Sequence, residues 1–185
     1  LFKRIYKNLF LQKNIELFNS NGNEATIQTV GNKLIHSSKY STSVLAKNGK
    51  IYAAPKDANK VLEITPGTDN SNASINLIDQ GLGNRKYKYL TSVYADPDKG
   101  GDGKIYCAPY NTRQNKVLEI DPITDPNNPT AKLIGTGISG INKYYTSVLA
   151  RNGKIYAAPA YANKVLEINP YAEDSEKDPT IKFID

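Results

Sequence analysis

Methionine and tryptophan are absent from this sequence, and cysteine and histidine occur once each. A lone cysteine, Cys107, allows no internal disulfide and suits a reducing or an oxidising compartment equally, so the cellular address stays open. One histidine, His36, and one cysteine at unrelated places cannot build a His/Cys metal cage or a Ser-His-Asp triad. The commonest zinc and nucleophilic mechanisms are thereby removed. No stretch approaches the roughly 20 apolar residues that a membrane-spanning helix requires. A chain that begins at Leu1 and holds no Met reads as a processed product or a fragment, so the lack of a leader says nothing about the parent. Any catalysis would rest on carboxylates, and no such constellation stands out. The expectation is a non-enzyme without metal or cofactor.

What is present favours strands. Of 185 residues, 39% are apolar and 23% charged, enough to bury an ordinary core. The 13 tyrosines, with abundant Ile, Asn and Lys, suit pleated sheet and its turns better than helix. Cys107 sits in an apolar stretch where related segments carry Ala53 and Ala157, and reads as a small core residue rather than a reactive thiol.

The chain repeats itself about every fifty residues. Lys39–Ala46, Lys88–Ala95 and Lys143–Ala150 share the pattern KYxTSV(L/Y)A. Each is followed by Gly-Lys-Ile-Tyr (Gly49–Tyr52, Gly103–Tyr106, Gly153–Tyr156), then Val-Leu-Glu-Ile (Val61–Ile64, Val117–Ile120, Val165–Ile168). A fourth apolar run closes each unit at Ile75–Ile78, Ala131–Ile134 and Ile181–Ile184. Short Val-, Ile- and Tyr-rich runs joined by Gly, Pro, Asn and Asp predict a four-stranded antiparallel meander. Asn48-Gly49 and Asn152-Gly153 predict tight first hairpins with positive φ. A degraded copy opens the chain: Arg4–Tyr6, Ile15–Phe18 and Ala25–Val30 match strands two to four. The expectation is a single domain over 1–185, with a degenerate unit at 1–31 and full units at about 39–79, 88–134 and 143–185.

The strings NGKIYAAP (Asn48–Pro55, Asn152–Pro159), ANKVLEI (Ala58–Ile64, Ala162–Ile168) and NKVLEIDP (Asn115–Pro122) resemble the NHL and YVTN repeats of β-propellers. The resemblance covers Lys39 to Asp185, and the opening remnant weakly. It implies an all-β fold, an incomplete β-propeller of about four four-stranded antiparallel blades, with partner or substrate binding at one mouth. A β-trefoil is the alternative, since three units of this size would also fill the chain. The extra partial copy and the strand order favour the propeller. Uncovered blades at either end imply further blades, self-association or burial in an assembly.

In a propeller, the passages between blades and the second-to-third-strand loops share one mouth. Lys39, Tyr40, Lys88, Tyr89, Lys143, Tyr144, Lys60, Lys116 and Lys164 meet there as the candidate ligand-binding set, joined by Arg85, Tyr87, Tyr110, Arg113 and Tyr161. With a net charge of +6, that mouth suits a protein partner or an anionic or glycan ligand. Nucleic acid is disfavoured, because no helix, RNP-like strand or Arg-rich run is available. The leading function is thus a non-enzymatic binding or scaffolding module. One alternative is part of a metal-dependent lactonase- or lyase-like propeller; another is a structural subunit of a shell or filament. Asp96–Gly103 resembles a calcium loop only loosely, since Gly100 falls where an oxygen ligand is needed. Glu63, Glu119 and Glu167 recur within strands and are expected to point outward and pair with lysine.

Overall fold

The computed structural model describes residues 14–18, 24–31, 34, 38–68, 72–171 and 179–185, which fall in two compact units, Leu1–Asn32 and Lys33–Asp185. In the first, β1 (Asn14–Phe18) and β2 (Glu24–Gln28) form an antiparallel pair, with Asn14 opposite Gln28 and Phe18 opposite Glu24. This is the stretch in which the sequence places the remnant's third and fourth strands. Arg4–Tyr6 and His36 lie outside the described residues.

The second unit contains three four-stranded antiparallel sheets, each in simple meander order. The first comprises β3 (Val44–Leu45), β4 (Ile51–Ala53), β5 (Lys60–Thr65) and β6 (Ser74–Asp79). The second comprises β7 (Val93–Tyr94), β8 (Ile105–Cys107), β9 (Val117–Asp121) and β10 (Thr130–Ile134), and the third β11 (Tyr144–Leu149), β12 (Ile155–Pro159), β13 (Val165–Asn169) and β14 (Thr180–Ile184). No sheet closes on itself. A short 3-10 turn at Pro97–Lys99 is the helical element among the described residues, and no helix there is long and apolar enough to cross a membrane.

Side chains alternate across each strand, so every sheet has two faces. The forward face of the first sheet (Ala46, Tyr52, Ala54, Val61, Ile78) packs on the backward face of the second (Tyr89, Ile105, Cys107, Leu118, Ile120). The same interface recurs one unit later. Val93, Ala95, Tyr106, Val117 and Ile134 pack on Tyr144, Ile155, Ala157, Leu166 and Ile168. A middle sheet covered on both faces explains why its strands are apolar at nearly every position rather than at alternate ones. Each fully buried aliphatic side chain contributes about 1.5–3 kcal/mol. Cys107 is buried among them, and burial pushes its thiol up to about 12. Along one margin β3 lies beside β7 and β7 beside β11, with Thr91 Oγ1 and Ser147 Oγ 2.9 Å apart; along the other, β6 lies beside β10.

The repeated glutamates do not point outward. Glu63, Glu119 and Glu167 are buried, each opposite a tyrosine of the preceding strand: Tyr52, Tyr106 and Tyr156. Tyr52 donates to Glu63 at 2.8 Å and Tyr156 to Glu167 at 2.9 Å. Lys50, Lys104 and Lys154 reach the other carboxylate oxygen at 3.3, 3.1 and 3.0 Å. The lysine pairing was legible; the burial was not, because it depends on the tyrosine hydroxyl that satisfies the second oxygen.

The first hairpins also differ in detail from the expected turn. Gly49 and Gly153 are left-handed, with φ of 78° and 76°, but the preceding asparagines are not. The asparagine acts through its side chain. Asn48 and Asn152 accept from the main-chain N–H of Lys50 and Lys154 and donate to the hydroxyls of Tyr52 and Tyr156. That second donation turns each hydroxyl's own proton toward the glutamate. Successive hairpins touch: Lys47 pairs with Asp98, and a Cβ on Gly153 would stand 2.2 Å from Gly100 O, so that position requires glycine.

The middle copy breaks this relay. Asp102 stands where the others have asparagine, and Tyr106 donates to it at 2.7 Å. Glu119 Oε2 is left buried without a hydrogen-bond partner. Burial holds the Asp102 carboxyl above its ordinary range, against the lowering pull of the Tyr106 hydrogen bond. A raised folded-state value means that the site is most stable with Asp102 protonated, and that this contribution is lost as pH rises through it. Asp102→Asn, which restores the donor, is therefore expected to stabilise the protein by about 1–2 kcal/mol near neutrality. The gain should shrink as pH falls through the carboxylate range, as read by urea denaturation at several pH values.

Candidate functional site

The Lys-Tyr pairs stand just before the first strand of the first two sheets and open that of the third, and their tyrosines are struts. Tyr40, Tyr89 and Tyr144 pair with Pro55, Pro109 and Pro159 across the chain. Their hydroxyls donate to the main-chain oxygens of Lys60, Lys116 and Lys164 at 3.1, 3.1 and 3.2 Å. Six of the nine candidate residues are thus brought together in three equivalent pairs, through tyrosine side chains and lysine main chain. Burial raises the phenol pKa of all three tyrosines.

Of the remaining lysines of the set, Lys88 and Lys143 turn inward and Lys39 is half-buried. Ser38, Tyr87 and Asn142, just before them, adopt left-handed backbone with φ of 48–57°. Such residues reverse the passage. Lys88 and Lys143 are fully buried, and their ammonium groups donate to the main-chain oxygens of Arg85 and Gly140, Lys143 also to Asn115 Oδ1 at 2.8 Å. The Lys39 carbonyl accepts from the N–H groups of Lys56, Asp57 and Ala58. Passages also link one unit to the next: Lys88 N–H donates to Lys56 O and Lys143 N–H to Tyr110 O. Of the loop lysines, Lys60 and Lys164 form ion pairs with Asp79 and Asp185. Arg85, Lys86 and Arg113 are exposed and carry no ion pair among the described residues.

A groove of about 340 Å³ opens at this end of the third sheet, lined by Gly137, Ser139, Gly140, Tyr144, Tyr161, Asn163, Lys164 and Phe183. Loop length explains its position. Between the equivalent prolines Pro55, Pro109 and Pro159 and the Val-Leu-Glu-Ile strings lie residues 56–60, 110–116 and 160–164, so the middle connection is two residues longer. That longer loop reaches over the passage before it, with Gln114 Nε2 donating to Gly81 O and Leu82 buried. The shorter third loop leaves the equivalent space open, and Tyr161, at 76% exposure, stands over it. Arg85 lies close enough to Lys143 for its charge to act on that ammonium, and Lys143 is bonded to Gly140 on the groove wall.

Tyr144, Tyr161, Asn163 and Lys164 were legible as members of this end; Ser139, Gly137 and Phe183 were not. The signals were present in the two-residue loop difference and in Phe183 standing where the other copies have Leu77 and Leu133. At the opposite end, the carboxylates of the glycine-rich loop are already engaged: Asp96 caps the 3-10 turn, Asp98 pairs with Lys47, and Asp102 accepts from Tyr106. Among the described residues no three His, Cys, Asp or Glu side chains gather in a way that could hold a metal ion. No protein-family model and no curated protein sequence matches the chain.

Burial, aided by the charge of Arg85, pushes the Lys143 ammonium down to about 8. A depressed folded-state value contributes stability that is full above the unfolded lysine value, about 10.5, and is lost as pH falls through about 8. Relative to Lys143→Gln, the unaltered protein should therefore gain stability as pH is raised across that window. Urea midpoints of the two proteins against pH measure it, and parallel curves would contradict the assignment.

Proposed function

We propose that the three sheets are consecutive blades of an NHL- or YVTN-like β-propeller, and that the molecule is a non-enzymatic binding module taking a glycan, acidic ones included, in the groove beside Tyr161. The blade reading is supported by the twice-repeated face-to-face packing, the first strands lying side by side, and equivalent hairpins meeting at one end. The ligand reading rests on the groove's chemistry. Tyr161 and Phe183 supply aromatic surface, while Ser139, Asn163 and Lys164 supply a hydroxyl, an amide and an ammonium. Apolar walls with a few convergent polar groups are the usual make-up of a small-ligand site, and aromatic rings with adjacent hydrogen-bonding groups suit a sugar ring. Lys164 is held by Asp185, which tempers its pull on an anion, and Arg85 adds positive charge nearby.

Calorimetric titration with a neutral and a uronic-acid oligosaccharide tests this reading. Tyr161→Ala is expected to weaken binding about tenfold or more. Asp185→Asn, which frees Lys164, should favour the acidic ligand over the neutral one. Absence of saturable binding to either saccharide, or binding indifferent to Tyr161, would overturn it.

A further inference from the structure

The middle copy carries three exposed cations that the repeat does not call for. Lys88 and Lys143 recur, and each donates to the main-chain oxygen three residues before it, so Arg85 and Lys86 stand where the third copy has Gly140 and Ile141. Arg113 lies in the longer middle connection, whose counterparts read Asp57-Ala58 and Tyr161-Ala162 before the shared Asn-Lys. All three copies form the same four-stranded sheet, so the fold does not require these charges.

Main-chain and side-chain contacts bring them to one place. Gln114 Nε2 donates to Gly81 O at 3.5 Å and the Asn111 N–H to Tyr87 O at 3.0 Å, which lays the loop bearing Arg113 on the passage bearing Arg85 and Lys86. Lys56 Nζ stands 4.8 Å from the centre of the Tyr87 ring, a cation–π contact that holds a ring 47% exposed. Two carboxylates of the neighbouring elements are engaged elsewhere: Asp57 is buried and accepts from the Tyr87 N–H, and Asp79 pairs with Lys60. Arg85, Lys86 and Arg113 are left without a counter-charge among the described residues.

Like charges held together repel one another, and a partner bearing anionic groups relieves that repulsion. Guanidinium groups take the paired oxygens of sulfate or carboxylate in bidentate fashion, and Tyr87 offers a ring face for a sugar. A folded protein partner fits less well, because the patch has no aliphatic centre of the kind such interfaces bury. We infer that Arg85, Lys86, Arg113 and Lys56 bind the oxoanion groups, sulfate or carboxylate, of an acidic glycan chain, with Tyr87 against one of its sugar rings. The patch adjoins the groove: Arg85 acts on Lys143, which is bonded to Gly140 on the groove wall. That the chain is a glycan rests on the reading of the groove; the patch adds a second place where the same chain is held.

Calorimetric titrations at low and moderate salt test this, using a sulfated, a uronic-acid and a neutral oligosaccharide of equal length and an oligoglutamate matched in charge. At least one acidic oligosaccharide should bind the unaltered protein about tenfold or more tighter than the neutral one and than oligoglutamate, with an affinity that falls as salt rises. Lys86→Ser combined with Arg113→Ser, two exposed positions outside the groove, should remove most of that advantage and flatten the salt dependence while leaving neutral binding unchanged; circular dichroism checks folding. Which acidic oligosaccharide gains tells sulfate from carboxylate. Neutral binding that needs Tyr161, with no gain from the acidic groups, overturns the patch and leaves the groove standing. An acidic gain lost with Lys86 and Arg113 yet indifferent to Tyr161 supports the patch and overturns the groove. Oligoglutamate binding as tightly as the acidic glycan, or a gain untouched by the double substitution, overturns the inference.

Discussion

The structure depends on one contact used twice: the forward face of a four-stranded sheet laid on the backward face of the next. A single sheet of this kind has apolar side chains on both sides and would leave half of them in water. Only in series does the burial exceed the conformational entropy lost on ordering about forty residues, since neither face alone contributes enough. Val-Leu-Glu-Ile, the most regular string in the sequence, is the direct product. In the middle sheet Val117 and Glu119 serve one interface and Leu118 and Ile120 the other, with no position left over for solvent.

Placing a carboxylate in that string carries a penalty, because a buried charge is costly unless paired and hydrogen-bonded. The first and third copies meet it with four residues from the second and third strands and the first hairpin. Lysine neutralises one oxygen, tyrosine donates to the other, and asparagine orients the tyrosine. A wrong register in any strand would separate Tyr52 from Glu63 or Tyr156 from Glu167, leaving the acid unsatisfied. Hydrophobic alternation only distinguishes the two faces, so registers two residues apart look alike to it; the buried polar cluster removes that ambiguity.

Much of the second unit was legible because its two periodicities agree. The alternation within each run gave the strands, and recurrence about every fifty residues gave the meander of three equivalent sheets. What escaped was whatever depends on partners distant in sequence. Glu63 reads as a surface acid until Tyr52 and Lys50 are seen above it, and Lys143 reads as a mouth cation until the left-handed Asn142 turns it onto Gly140 O. The Lys-Tyr strings drew attention by recurring, but recurrence in a repeat protein reports first on how units join. The groove has the opposite signature: it arises where the third copy departs from the second.

That contrast bears on where such a chain can acquire specificity. A change on a sheet face must suit the facing sheet as well, so Tyr52 and Tyr106, or Val61 and Val117, are held alike. A loop joining two strands already fixed by their neighbours has no such constraint, and lengthening it by two residues costs only a few tenths of a kcal/mol in closure entropy. The extra length of 110–116 is enough to cover one passage, and the shorter 160–164 is enough to expose Phe183 and Tyr161. Function on this scaffold is therefore to be sought in the differences between copies, on elements whose position is set by what the copies share.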